Sequence, residues 1–154
     1  MIFREARLTD IKGMQIVRNA VLENKLSDPA VVADADYMPF IDQAGKGWVC
    51  EHENAIIGFA FVDVANQNIW ALFVTPAYEK RGIGKTLHAL MLNWYFAQHS
   101  EPLWLSTAPN TRAETFYGKQ GWVKTGLYGK GEIKFEITRE SWATAGAGGL
   151  QKHH

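Results

Sequence analysis

Cysteine is nearly missing from this chain: Cys50 is the only one, so no disulfide can form within it, and a reducing compartment is expected. Net charge is missing as well. Sixteen lysines and arginines offset sixteen aspartates and glutamates, which argues against a broad polyanion-binding face and against nucleic acid as a partner. Only a local basic site is left open. Long apolar runs are also lacking. The longest mostly apolar stretch, "AIIGFAFVDVA", is too short to span a bilayer, and "MIFREARLTD" brings charge at position 4 and has no apolar h-region of the kind a signal sequence carries. The expected setting is the cytoplasm, with neither secretion nor a membrane.

What is present is enough to fold. The chain has 154 residues, 47% of them hydrophobic, with six tryptophans, so it can bury one sizeable core. "IFREAR" reads as a strand, and "LTDIKGMQIVRNAVLEN" as a helix capped by Thr9, with Ile11, Met14, Val17, Val21 and Leu22 at helical spacing. "SDPAVVADADYMPFIDQ" has a helix-start signal in Ser27-Asp28-Pro29. Three strand-like runs follow in "GWVCEHENAIIGFAFVDVANQNIWALFV", separated by the turn-prone "EHEN" and "ANQN", and an antiparallel meander is the simplest reading. Next come a helix to about Gln98, a strand "LWLST", a helix "TRAETFYGKQ" and two closing strands, "GWVKTGLY" and "EIKFEIT". The expectation is a single α+β domain over residues 1–140, a mixed, largely antiparallel sheet flanked by about four helices. Residues 141–154, which include the glycine- and alanine-rich "TAGAGGLQKHH", read as a flexible or added tail, and His153 and His154 are given no metal site.

The stretch "AYEKRGIGKTL" gathers the chemistry. It lies between the strand "IWALFV" and a helix, where backbone N–H groups at the helix start lack intrahelical partners and favour an anion. Gly82 and Gly84 permit close approach of a ligand, and Lys80, Arg81 and Lys85 add charge-assisted contacts suited to phosphate oxygens. A solvated turn with a glycine-tolerant cap is the other reading of the same residues. No G-x-x-x-x-G-K-[ST] loop is present, and Leu87 stands where a dinucleotide fingerprint needs its third glycine.

The segment Glu79-Lys80-Arg81-Gly82-Ile83-Gly84 resembles the Q/R-x-x-G-x-G/A motif of the GNAT superfamily, the acyl-CoA-dependent N-acetyltransferases. "NTRAETFYGKQGW" is similar to the family's second motif, with Asn110, Ala113, Phe116, Tyr117, Gly121 and Trp122 in register. Glu79 departs from the pattern, since a carboxylate would repel a pyrophosphate, so its side chain is expected to face solvent or pair with a cation. The resemblance implies a GNAT-like sheet splayed between strands 4 and 5, with acetyl-CoA as co-substrate and no metal. It implies that the pyrophosphate sits on the amides of Arg81, Gly82, Ile83, Gly84, Lys85 and Thr86. It implies that a bulged fourth strand holds the pantetheine arm through Leu72, Phe73 and Val74. The Leu72 amide would stabilise the developing oxyanion. Asn110 would bond the pantetheine, although it can also be read as a helix cap. Tyr117 would protonate the departing thiolate, where the alternative is a core aromatic. Cys50 reads as a packed thiol.

Asn68 and Trp70 occupy the fourth-strand positions where many members of this family place a general base. Glu23, Asp28, Asp36 and Asp63 are the carboxylates that could act through water. The acceptor site is expected near "VLENKLSDPAVVADADYMPF", where Asp34, Tyr37, Met38 and Phe40 join three of those acids. A primary amine, small molecule or peptide, is the implied acceptor, and a homodimer stays open. A non-catalytic acyl-CoA sensor of the same fold, or a module for another phosphorylated ligand such as a nucleotide, remain alternatives.

Overall fold

The computed structural model describes residues 1–22, 32–42 and 45–151, with the backbone alone at residues 22, 42 and 146–151. Its contacts divide the chain into two compact units, Met1–Trp94 and a second beginning at Tyr95. The architecture is α+β, as expected.

In the first unit, β1 (Ile2–Glu5), β2 (Gly45–His52), β3 (Ala55–Asp63) and β4 (Asn68–Val74) pair in that order, each antiparallel to the next. The meander read from the sequence is therefore present. Its first turn is two residues long, and both Glu53 (φ 51°) and Asn54 (φ 65°) are left-handed, as the tightest hairpins require. β2 and β3 are buried along most of their length, which matches their near-continuous apolar sequence.

Helix α1 (Ile11–Leu22) packs on β3 and β4. Ile11, Met14 and Val17 meet Tyr37, Val49, Phe59, Phe61 and Ala71 in one core cluster. The start of α1 differs from the expectation. Thr9 is exposed and lies inside a 3-10 turn, Leu8–Asp10, and Asp10 is the residue that accepts the Arg7 N–H at 2.8 Å. Burial alone would raise the Asp10 pKa, but the Arg4 guanidinium, bonded to both its oxygens at 2.8 and 2.9 Å, outweighs it and holds the carboxyl below its usual range. Arg4 also reaches Glu51 on β2, so one arginine ties β1, β2 and the helix start.

Of the expected second helix, residues 27–31, which include Ser27-Asp28-Pro29, and residue 43 lie outside the described residues, and from Asp34 the chain forms a 3-10 turn, Asp34–Tyr37, leading into the short α2 (Met38–Asp42). Helix α3 (Ile83–Gln98) follows β4 and contains the division between the units.

In the second unit, β5 (Leu103–Thr107), β6 (Val123–Tyr128) and β7 (Glu132–Ile137) pair antiparallel, with β7 between the other two. Helix α4 (Arg112–Lys119) lies between β5 and β6 in sequence. Beyond β7, the stretch read as a tail is helical as far as it is described, in α5 (Arg139–Gln151): the Thr138 hydroxyl accepts the Ser141 N–H at 3.0 Å, and Trp142 is buried. Among the described residues no helix is long and apolar enough to cross a membrane.

Candidate active site

The site is built first on β4. Its register with β3 shifts between Phe61 and Val62, opposite Ala71 and Ile69, so Trp70 is an extra residue on β4. This is the expected bulge. Beyond it the pairing is regular, and Thr75 donates its N–H to the Ile57 carbonyl at 2.9 Å. In an antiparallel ladder, hydrogen-bonded and non-bonded pairs alternate. Phe73, two residues back, therefore also turns its backbone groups to β3, while Leu72 and Val74 direct theirs to the opposite edge. Of the three residues assigned to the pantetheine arm, two present an amide there and Phe73 does not.

After β4, a 3-10 turn, Pro76–Tyr78, leads to α3. Lys80 (φ 64°) and Gly82 (φ 81°) are both left-handed. Only glycine takes that conformation without strain, and a Cβ at Gly82 would meet nothing within 4 Å. The requirement at Gly82 is thus conformational, with open space before it. Gly84 is different: its Cβ would make an ordinary 3.6 Å contact with Val74.

The amides of Ile83, Gly84 and Lys85 open the helix and have no helical carbonyl to bond. Thr86 does not belong with them. Its N–H and its hydroxyl both donate to the Gly82 carbonyl at 3.0 Å. Lys80, Arg81 and Lys85 are exposed, and the Arg81 guanidinium lies 5.0 Å from the Tyr78 ring centroid. Glu79 is half-buried, and its N–H donates to the Pro76 carbonyl at 3.3 Å. This junction can take a polyanion: three helix-start amides, three cations and no acid in the first turn of α3.

In the second unit, Asn110 is exposed and left-handed (φ 59°). It is not the cap of α4. Thr111 is, accepting the Glu114 N–H at 3.3 Å, while the Glu114 carboxylate accepts the Asn110 N–H at 2.7 Å. Tyr117 sits in the middle of α4, buried among the rings of Phe116, Trp122 and Phe135. Burial raises its pKa above the usual tyrosine value, so the phenol keeps its proton at neutral pH and can serve as an acid. The ring contacts are those of a core aromatic, and a phenol that keeps its proton is compatible with the proton-donor reading.

Two of the four carboxylates proposed as bases, Asp36 and Asp63, are otherwise engaged. Asp36 accepts the Ala33 N–H at 2.8 Å, and Asp63 holds both the backbone and side-chain nitrogens of Asn66, at 3.3 and 2.7 Å. Glu23 and Asp28 lie outside the described residues. Asp34 bonds Lys12 and Gln15, each at 3.3 Å. Tyr37 is fully buried, donates to Gln15 at 2.8 Å, and has its phenol pushed up to about 12, chiefly by burial. Cys50 is buried on β2 with its thiol pushed up by burial, which fits a packed thiol. Met38 is exposed.

Trp70 is ringed by Tyr37, Phe40 and Phe61 at centroid distances of 5.1, 4.5 and 5.8 Å. Beside this group is a residue that pattern reading passes over. Arg18, half-buried on α1, holds its guanidinium 5.1 Å from the Phe73 ring centroid. The available signal was its place four residues after Met14, on the buried stripe of an amphipathic helix. Among the described residues there is no cluster of histidine, cysteine and carboxylates that could hold a metal.

Comparison with known proteins adds independent findings. The profile of the acetyltransferase (GNAT) family matches residues 14–122. No curated protein matches. Among solved structures, a GNAT-family acetyltransferase from Staphylococcus aureus Mu50 superposes with a TM-score of 0.77 at 14% identity, over 90% of this chain and 98% of that one. A ribosomal-protein-alanine N-acetyltransferase from Brucella melitensis gives 0.73 at 17% identity, over 90% and 99%. A PaiA N-acetyltransferase from Thermoplasma acidophilum, solved in complex with coenzyme A, gives 0.72 at 13% identity, over 89% and 98%. At these identities the structural likeness speaks to the fold.

Proposed function

Since the chain belongs to the GNAT acetyltransferase family, we propose that it moves the acetyl group of acetyl-CoA directly to a primary amine. The observation that carries this reading is the β4–α3 junction: amides directed outward at Leu72 and Val74, then helix-start amides at Ile83, Gly84 and Lys85, among three cations. A neighbour of the same fold was solved with coenzyme A, which supports the choice of ligand.

In this reading, the amides of Ile83, Gly84 and Lys85 bind the pyrophosphate, with Lys80, Arg81 and Lys85 neutralising it. The outward groups of Leu72 and Val74 hold the pantetheine arm as an added strand would be held. The Leu72 N–H donates to the thioester carbonyl oxygen, where negative charge grows as the amine adds. Asn110 supplies a further polar contact to the pantetheine. As the C–S bond breaks, Tyr117 gives its proton to the sulfur, and the new amide keeps the acetyl group. Cys50 carries no acyl group. The proton released by the amine leaves through water, because Asn68 and Trp70 cannot accept it.

Thermal unfolding with acetyl-CoA, coupled to CoA release over a set of primary amines, tests this reading. Acetyl-CoA at 100 times its dissociation constant should stabilise the protein by about 2.7 kcal/mol. No stabilisation at millimolar acetyl-CoA, or a stronger response to ATP, overturns it. The lack of a titrating side chain at Asn68 and Trp70 favours one second reading, an acyl-CoA sensor, whose signature is stabilisation by acetyl-CoA without CoA release for any amine.

A further inference from the structure

The geometry points to Arg18 as the residue that selects the acceptor, and to an amine that carries a carboxylate next to an apolar side chain, as an apolar α-amino acid does. This inference rests on the acetyl-transfer reading and names the substrate class for that same site.

Four observations lead to it. First, the Arg18 guanidinium is half-buried over the Phe73 ring, at 5.1 Å. Stacking on an aromatic face returns only part of the hydration an arginine loses on burial. Second, no carboxylate pairs with it among the described residues. The described acids of α1's surroundings are committed elsewhere: Asp34 to Lys12 and Gln15, Asp36 to the Ala33 amide. A guanidinium stacked through one face keeps its edge of N–H donors available, and that fork matches a carboxylate in two parallel hydrogen bonds. With Lys12 already paired, Arg18 is the one cation here among the described residues, so one negative charge balances it and a phosphate dianion would not be matched.

Third, Phe73 directly follows Leu72, the residue whose amide faces the outer edge of β4, and one strand residue is roughly 3.3 Å. An acceptor held against Phe73 and Arg18 is therefore close to the carbonyl it must attack. Fourth, Phe73 under the cation, and Phe40 and Trp70, whose ring centroids lie 4.5 Å apart, are all only partly buried and pack on the same core cluster, so that cluster leaves an apolar wall open to a ligand. Carboxylate to Arg18, side chain to the wall and amine toward Leu72 is the arrangement of an amino acid.

The test compares three L-amino acids with the amines left by removal of their carboxyl groups: phenylalanine with phenethylamine, leucine with isoamylamine, methionine with 3-(methylthio)propylamine. The whole protein is assayed for CoA release as parent, Arg18→Met and Arg18→Lys. The parent should favour each amino acid over its amine by roughly 10- to 100-fold in kcat/KM. Arg18→Met should remove that preference by raising KM for the amino acid, while kcat/KM for the amine and KM for acetyl-CoA stay within about threefold. Arg18→Lys should keep part of the preference through its charge.

A purely structural Arg18 would predict equal losses for both members of each pair. Equal losses in Arg18→Met, or a parent that does not distinguish acid from amine, overturn the inference. Stabilisation by acetyl-CoA with no CoA release for any of the six compounds overturns the acceptor assignment alone. Absence of stabilisation overturns the acetyl-transfer reading together with it.

Discussion

At the start of α4, Thr111 and Glu114 close two backbone amides with the chain's own oxygens, whereas the first turn of α3 contains no acid and is flanked by exposed cations. Both helices follow a strand and a left-handed residue, Asn110 in one case and Gly82 in the other. One start has been finished internally. The other leaves its positive end open to an anion. The difference teaches that a helix start is a ligand site only where the sequence withholds the cap. On the proposed reading, the contribution of α4 to chemistry lies further along the helix, at Tyr117, and not at its amides.

The sharpest way to test that division is Tyr117→Phe, which keeps the ring packing and removes the hydroxyl. It should lower kcat by roughly 10²-fold or more while leaving acetyl-CoA affinity nearly unchanged, in the range for loss of a general acid. A fully active variant would leave α4 with no catalytic part. Next in size is Gly82→Val. A β-branched residue at φ 81° is strained, and the variant should lose the stabilisation of about 2.7 kcal/mol that acetyl-CoA gives at 100 times its dissociation constant. Gly84→Ala makes the comparison finer. Its added methyl meets only ordinary contact, so the fold should stand, and any weakening of acetyl-CoA binding reads as crowding of the ligand.

Thr111→Ala should behave in the opposite manner, lowering stability by about 1 kcal/mol through the lost cap, a fall of about 2–4 °C in Tm. Acetyl-CoA binding should not change. A larger effect on binding than on stability would erase the distinction between the two helix starts. The smallest effect is one of pH. Lys124, bonded to Glu114 at 2.6 Å, and then the Asn110 N–H hold the Glu114 carboxyl below its ordinary 4.5. A lowered folded-state pKa contributes stability above pH 4.5, lost as pH falls through the folded value. Hydrogen exchange of the α4 amides should therefore rise below pH 4.5 relative to the rest of the unit, and Glu114→Gln should remove that dependence.

The parts legible from sequence were those set by local chemistry. β5 occupies "LWLST" because a short apolar run is bounded by Pro102 and a polar loop, and the meander follows from three apolar runs with turn residues between them. The helix caps were less legible. Thr9 carries the usual cap signal, yet Asp10 takes the role because Arg4, six residues away, holds its carboxylate, a contact no spacing rule contains. Asn110 and Thr111 are both cap-formers, and the left-handed backbone at Asn110 decides between them. α5 was hidden by its glycines, which disfavour a helix, while the Thr138 cap and the burial of Trp142 act for it. The β4–α3 junction was readable as a motif; which of its amides turn outward depends on ladder alternation beyond the bulge. Arg18 was the least readable, since a cation in an amphipathic helix is ordinarily a solvated one.

The two-residue turn between β2 and β3 has a consequence in time. Closing so short a loop costs little entropy, and a hairpin of this kind forms in roughly 1–10 μs. β4 joins the pair through the equally local turn at residues 64–67. β1, by contrast, must find β2 across the whole of α1 and the segment after it. The three-stranded meander is therefore expected to assemble first and to offer α1 and β1 a surface already made. On that ordering, a destabilising change at Asn54 should slow refolding, whereas one at Phe3 should mainly hasten unfolding.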